Sequence, residues 1–404
     1  VDVRPHRLNI RPTWQDSVIR FTLREPAQLS IEVNGGVGRP LFVFANPPER
    51  DVPRPNDPAV RYFAGGAVHD VGVLEVGSGE TVYIAGGAVV RGVILARDAQ
   101  DVTIRGRGVL DGGLPRPRDY PGVPQLHLIN LINCDRVGVE GIVLHNSTSW
   151  QLVPLLARDV TIRNVKIVSG NDSDDGIDVV RSRRVLIENC FVRTKDDCVA
   201  IKSVHGDDPT VPTHAVTVRG CTFWNAEWGN GFEIGFELQT HEISAIRVED
   251  CDFIHVEKGA VLSIHNGDSA LVRDVVFQNL RIEHAGQKLI DLAILHTRFS
   301  HDNPFDRETF MRERYQAGVW DNQTRLTPAE RRRYAPSRGH IRDITFRDIR
   351  VVDGPVPFSV IAGYDTDHQV RDVLIDGLYV HGRRVKSLEE ARFSLEHTAN
   401  IRLQ

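Results

Sequence analysis

The sequence predicts an all-β protein: a parallel β-helix, or solenoid, over residues 67–404, preceded by a small N-terminal β-sandwich domain over residues 1–66. Three observations carry this expectation. A strand-length motif recurs along most of the chain, helical periodicity is nearly missing from it, and the first residues alternate apolar and polar positions without joining the repeat.

The repeat reads "DVTIRGRGVLDG" from 101, "RVGVEGIVLHNS" from 136, "DVTIRNVKIVSG" from 159, "RVLIENCFVRTK" from 184, "AVTVRGCTFWNA" from 215 and "AIRVEDCDFIHV" from 245, and it continues from 274, 343 and 372. Its anchors are Val102, Val137, Val160, Val185, Val216, Ile246, Val275, Ile344 and Val373, separated by 35, 23, 25, 31, 30, 29, 69 and 29 residues. One such unit cannot bury its apolar face alone, so neighbours must stack. Leucine-rich repeats share the period but need regular Leu and Asn positions that this chain lacks. Cys190, Cys221 and Cys251 each fall five residues after an anchor, where other coils place Val165, Leu280, Ile349 and Leu378. That column reads as inward and apolar, so the thiols are expected to be reduced packing residues rather than a disulfide framework or a metal site.

Two segments depart from the repeat. Residues 1–66 hold the alternating runs "SVIRFTL" and "LSIEVNGG", the apolar run "LFVFAN" and the proline-rich "PPERDVPRPNDP", which reads as a linker. The 69-residue interval carries a partly helical insertion near 297–340, in which Thr327, Pro328 and Glu330 form a helix-start signal. It either shapes a cleft or decorates the solenoid.

A net charge of −5 without a basic stripe argues against a nucleic-acid partner. No apolar run approaches the roughly 18 residues of a membrane span. The start "VDVRPHRLNI" lacks the apolar core of a secretory signal. Localisation therefore stays open between a secreted or periplasmic enzyme with its signal removed and a cytoplasmic one, and oligomeric state, a homo-oligomer included, is likewise open.

Chemistry concentrates in the second strand of successive coils, aligned as "DDGIDVV" from 174, "DDCVAIKS" from 196, "GNGFEIGF" from 229 and "AVLSIHN" from 260. This register sets Asp174 and Asp175 beside Asp196 and Asp197 on adjacent strands about 4.8 Å apart. Like charges so close raise the proton affinity of at least one member. A protonated carboxyl beside ionised ones is what glycosidic hydrolysis requires. Two plainer readings compete: Asp and Asn that cap solenoid turns, and calcium held by clustered carboxylates. The doubled pair in register favours chemistry.

At these residues the sequence resembles the polygalacturonases and their relatives, glycoside hydrolase family 28, which share the pectin lyase-like fold, over residues 67–404 and most strongly 159–266. The resemblance implies a right-handed parallel β-helix carrying "NTD", "DD", "GHG" and "RIK" motifs on successive coils. "SDDGID" lies where "NTDGFD" would, and "KDDCVAIK" matches the second motif directly. The resemblance implies that Asp197 is the general acid, that Asp175 and Asp196 activate water, that anomeric configuration inverts, and that no metal or cofactor is needed. Two departures stand out. Asn230 in "GNG" replaces the expected histidine, and Ser263-Ile264-His265 stands for "RIK", so two cations that would hold a galacturonate carboxylate are missing. Lys202, His265 and Arg273 are candidates to compensate. Glu233 projects on the face of Asp178 and Ser263 and adds negative charge. The expected substrate is therefore a neutral α-linked poly- or oligosaccharide of plant or microbial origin, with Asp174, Asp178, Lys202, His205, Asn230, Glu233, His265 and Trp228 as candidate substrate-binding residues. Pectin cleavage, a polysaccharide lyase, and a carbohydrate-binding β-helix with a dead site are the alternatives. A looser resemblance to dextranases and isopullulanases, glycoside hydrolase family 49, rests on "GFEIGFEL" and takes in the N-terminal β-sandwich. Trp150, Trp224 and Trp228 are candidates to stack on sugar rings.

Overall fold

A computed structural model describes residues 1–113, 125–204, 208, 210–316 and 323–404. Among these residues, thirty strands join in one continuous ladder. Its pairings are parallel except at the hairpin between Val370–Val380 and Arg383–Arg384. The anchors read from the sequence stand directly above one another: Val102 pairs with Val137, Val137 with Val160, Val160 with Val185, Val185 with Val216, and Val216 with Ile246. The column runs on through Val275, Ile344 and Val373 to Ile401.

Local chemistry explains the register. The residue ahead of each anchor adopts the left-handed conformation, from Asp101 (φ 58°) and Asp159 (φ 56°) to Asp274 (φ 52°) and Asp372 (φ 56°). Aspartate tolerates that conformation better than most residues, but Arg136, Arg184, Ala215 and Ala245 adopt it too, so the stacking of the coils imposes the corner where residue type does not favour it. Beyond the corner the alternation sends every second side chain inward, where Val160, Ile162, Val185, Ile187, Val216 and Val218 are buried. Truncating one of these to alanine costs about 2–5 kcal/mol, because neighbouring coils cannot collapse into the gap. All five cysteines are free and buried, and the Cys190 amide donates to Cys221 Sγ at 3.4 Å.

The 69-residue interval is a single coil. Val275 pairs directly with Ile344, and the excess chain lies between the strands Lys288–Ile294 and His340–Val351. The helix Pro328–Tyr334 starts as expected: Thr327 accepts from the Glu330 amide, and the Glu330 side chain accepts from the Thr327 amide. A second helical stretch runs through Arg307–Thr309 into Phe310–Arg314.

The N-terminal segment forms a three-stranded antiparallel sheet, Asp2–Arg4, Ala27–Glu32 and Leu41–Ala45, with a separate hairpin of Thr13–Gln15 and Val18–Arg20. Val3, Leu29 and Ile31 pack under Ile19 of the hairpin. Phe42 and Phe44 pack on Phe191, with ring centroids 5.2 Å away in each case, and Phe42 lies 5.9 Å from Trp224. A solenoid coil thus covers the face where a second full sheet of a sandwich would lie. The boundary also shifts: Val60–Phe63 already pairs in parallel with Thr81–Ile84, so the solenoid ladder begins before residue 67.

Candidate active site

Four strands build the site on one outer face: Ile177–Val180, Val199–Ser203, Phe232–Leu238 and Ala260–Asn266. Ile177 pairs with Val199, Val199 with Phe232, and Phe232 with Leu262. Asp175 therefore stands level with Asp197 on the next coil. One carboxylate oxygen from each of Asp175, Asp196 and Asp197 lies within 4.8 Å of the other two.

Backbone donors fix the turn that carries the pair. Asp174 is fully buried; its Oδ1 accepts from the Lys195 and Asp196 amides at 2.9 and 3.1 Å, and its Oδ2 accepts from the Asn171 amide at 3.1 Å. Asn225 Nδ2 donates to the Asp196 carbonyl at 2.8 Å and also bonds the Trp228 carbonyl, and Thr194 Oγ1 donates to the Asp196 carbonyl at 2.8 Å. Gly229 (φ +61°) passes so close that a Cβ there would lie 2.5 Å from Asp196 Oδ1 and from the Asp197 amide. Glycine at 229 is thus required by the acidic turn of the preceding coil.

The three acids have unlike surroundings. Asp197 is 6% exposed. Its Oδ1 accepts from the Asn230 amide at 2.6 Å and from Asn230 Nδ2 at 3.1 Å. Burial first, then the charges of Asp196, Asp175 and Glu233, push its carboxyl well above the ordinary range despite Lys202. Burial and Asp175 push Asp196 up to about 7. Asp175 instead has Lys202 Nζ at 2.8 Å. Burial opposes the Lys202 charge, but Asp175 and Asp178 outweigh it and hold the ammonium firmly protonated. That ammonium also lies 4.1 Å from the centre of the Trp150 ring, which stacks on His127.

A buried chain of polar groups extends from Asp197 across three further coils. Asn230 Nδ2 reaches Glu233 Oε2 at 3.0 Å, while Asn230 Oδ1 accepts from the Ala260 amide at 2.9 Å. Glu233 also takes a short hydrogen bond from Ser263 Oγ and lies 3.1 Å from His265 Nδ1. His265 Nε2 contacts Asp291 at 3.1 Å, and Lys288 Nζ reaches the same carboxylate. Burial disfavours a charged His265, yet Glu233 and Asp291 outweigh it and push the imidazole up to about 10. His265 is a cation held between two carboxylates.

This geometry revises several sequence-based assignments. Asp174 holds the turn, with both of its oxygens taken up by backbone amides. Asp178 is fully buried behind Lys202, 3.8 Å from its Nζ, with neither oxygen hydrogen-bonded. Lys202, Glu233 and His265 are buried and engage neighbouring charges; Asn230 has its polar atoms engaged in the same way. Trp228 is openly exposed, at 50%, alone among the described substrate-binding candidates, with Lys258 Nζ 4.6 Å from its ring centre. Trp224 is buried under Phe42. Arg273 pairs with Glu242 at 2.9 Å on the exposed face of another sheet and takes no part here. His205 lies outside the described residues.

Sequence reasoning missed Arg298, which follows the strand Lys288–Ile294 into the insertion. Its guanidinium lies 4.5 Å from the centre of the Phe299 ring, close enough to Asp196 and Glu237 to feel their charges, and its Nε is buried without a partner among the described residues. Phe299 stacks on Phe236, and Phe236 on His265, at centroid distances of 5.6 and 4.8 Å. No motif announces this wall, because it joins two coils and an insertion distant in sequence.

The sequence profile of glycosyl hydrolases family 28 matches residues 84–293, which takes in all of these acidic coils. A probable polygalacturonase of Vitis vinifera is 27% identical over 202 residues, covering 47% of this chain and 41% of that protein. The chain spans less than half the length of the curated relatives it matches. Among solved structures, a hyperthermoactive exopolygalacturonase from Thermotoga maritima superimposes with a TM-score of 0.56 at 18% identity, over 80% of this chain and 84% of that one. Dex49A from Penicillium minioluteum does so with a TM-score of 0.55 at 12% identity, over 99% of this chain and 76% of that one. These likenesses agree with a right-handed parallel β-helix, and the second extends over the N-terminal sheet. The family profile covers more than half of the sequence, and the chain belongs to glycosyl hydrolases family 28.

Proposed function

We propose that this chain hydrolyses an α-linked glycan, with Asp197 as general acid and with Asp175 and Asp196 activating the attacking water. One observation carries the reading: within a few ångströms, one carboxyl is buried among negative charges and keeps its proton, while another has an ammonium at 2.8 Å. Asp197 gives its proton to the glycosidic oxygen as the bond to the anomeric carbon breaks. Water held between Asp175 and Asp196 attacks that carbon and passes its proton to the ionised carboxylate. The oxygens lie closer together than the about 6.5–9.5 Å usual for inverting pairs. Inversion is therefore proposed on the strength of three acids, two of which hold the water while the third protonates, and a retained product anomer would instead make one of them the nucleophile.

A neutral sugar is favoured by Ser263 at the expected arginine position and by His265, whose charge Glu233 and Asp291 already neutralise. A second reading, an acidic sugar such as the galacturonate named in the relatives, is favoured by Arg298, which has an orphaned Nε and lies near Asp196. A lyase reading is disfavoured because Lys202, the lysine of the site, is buried against Asp175. The test is a screen of dextran, pullulan, rhamnogalacturonan and polygalacturonate, with product anomers followed by proton NMR. Asp197→Asn should lower turnover about 10²–10⁴-fold while substrate binding persists. Unchanged turnover in that variant would overturn the assignment of the acid, and glycan binding without cleavage by the wild type would leave a binding module.

A further inference from the structure

The outer row that holds Lys202 and His265 does not end at the acids. His265 pairs with Ala293, Ala293 with Ala362, and Ala362 with Glu396 on successive coils. Above Ala293 and Ala362 the insertion folds back over the sheet. Thr297 bridges to Gln323, Tyr315 bridges to Thr324, and the Thr324 amide donates to the His296 carbonyl at 2.8 Å. Between the insertion and the sheet lies a cavity of about 180 Å³, lined by Gln316, Gln323, Thr324, Arg331 and Glu396 over a floor that includes Ala293 and Ala362.

Two lining atoms lack partners among the described residues. Thr324 is 3% exposed and its Oγ1 makes no hydrogen bond there, and Gln323 Oε1 is buried and equally unsatisfied. Leaving buried polar atoms unpaired is costly, so their presence at one cavity marks a place where a polar ligand belongs. The volume holds about six waters at roughly 30 Å³ each, enough for one sugar ring. Its chemistry is that of hydroxyl recognition: two amides and a hydroxyl offer both donors and acceptors. A carboxylate ligand is disfavoured, since Arg331 is bound to the Tyr364 carbonyl and stacked on the Tyr364 ring at 4.5 Å, while Glu396 is itself anionic.

We propose that this cavity is a distal subsite that takes one uncharged sugar unit of an oligosaccharide whose scissile bond lies at Asp197. The inference rests on the glycan-hydrolase reading for the direction of the chain, but its ligand contacts are separate from the acids. Ala293 stands three coils beyond the strand that follows Asp197, roughly 14 Å at the spacing of parallel strands. One sugar ring cannot bridge that distance, so the subsite acts only on longer chains.

The test is titration calorimetry of the full chain carrying Asp197→Asn, so that probes are not consumed. The probes are neutral malto-, isomalto- and galacto-oligosaccharides of about two to six units and, for comparison, oligogalacturonates. Affinity for at least one neutral series should rise with length about tenfold, and Thr324→Val, which keeps the shape and removes the hydroxyl, should abolish the rise, as should Gln323→Ala. Binding of the shortest probes should be unchanged, which also shows that the variants are folded. Length dependence that survives both variants, no binding by any neutral series, or a rise confined to the oligogalacturonates would each overturn the proposal. Should the wild type bind with this length dependence but cleave nothing, the hydrolase reading fails and the subsite stands.

Discussion

Aspartates line two outer faces of this solenoid, in register with arginines on one and with one another on the other, and the faces treat them in opposite ways. On the anchor sheet three acids meet an arginine from the next coil: Asp101 with Arg136 at 2.7 Å, Asp135 with Arg158 at 2.5 Å and Asp159 with Arg184 at 2.6 Å. Hydrogen bonds from these arginines hold all three carboxyls below their ordinary range. On the sheet that carries the acids, Lys202 pairs with Asp175 and Asp178 and its charge reaches Asp196 and Asp197, while burial drives Asp178, Asp196 and Asp197 upward. The strand spacing is the same. Partner sign and access to water decide whether a register of aspartates stabilises a surface or stores a proton.

The contrast is broken most severely by removing the cation that the groove acids share. Lys202→Met leaves Asp175 beside its like-charged neighbours with nothing to offset them, and kcat/KM should fall about 10²-fold or more, with partial recovery in Lys202→Arg. Wild-type kinetics in Lys202→Met would show that the ammonium does not support the base.

A smaller effect comes from Glu233. Its charge is one of those that raise Asp197, after burial, Asp196 and Asp175. Glu233→Gln should therefore move the alkaline limb of the kcat/KM profile to lower pH by roughly one unit. An unmoved limb would mean that the Asn230–Glu233 link only packs.

Asp196 sharpens the comparison through stability. Its native carboxyl, raised to about 7, keeps a proton that the unfolded chain releases near 3.8. Stability consequently falls as pH rises from about 4 to about 7 and stays low above that window. Asp196→Asn should melt a few degrees higher than wild type at about pH 8, and the advantage should vanish near pH 4. A variant that melts lower at about pH 8 would place the acid in a stabilising network like that of the anchor sheet. The smallest change is expected from Arg184→Ala on the exposed ladder, where a solvated pair adds little: activity should stay within about twofold and the melting temperature should barely move.

Much of the scaffold was legible because its signals are local. A recurring corner, aspartate in five of the nine coils, and alternating apolar residues beyond it placed Val102 through Val373 in the register observed. The capping pair Thr327 and Glu330, and the inward cysteine column, follow from spacing alone. Within the site the gathering of Asp175, Asp196 and Asp197 was legible for the same reason, since register follows from the repeat. What lies behind or across from them was not. Asp174 and Asp175 are adjacent and chemically identical, yet one faces backbone amides and the other an ammonium. That difference depends on how the turn at Ser173 (φ 56°) directs successive side chains, which no pattern of residue types records.

The amino-acid sequence by itself determined the β-helix, the coil-to-coil register and the meeting of two aspartate pairs, because a stacked repeat converts sequence period directly into position. Only the tertiary structure decided which acid receives Lys202, that His265 is held between Glu233 and Asp291, and that Arg298 and a polar cavity come from the insertion. Those outcomes rest on contacts among residues tens of positions apart, whose burial and charge are set by neighbours that the local pattern does not contain.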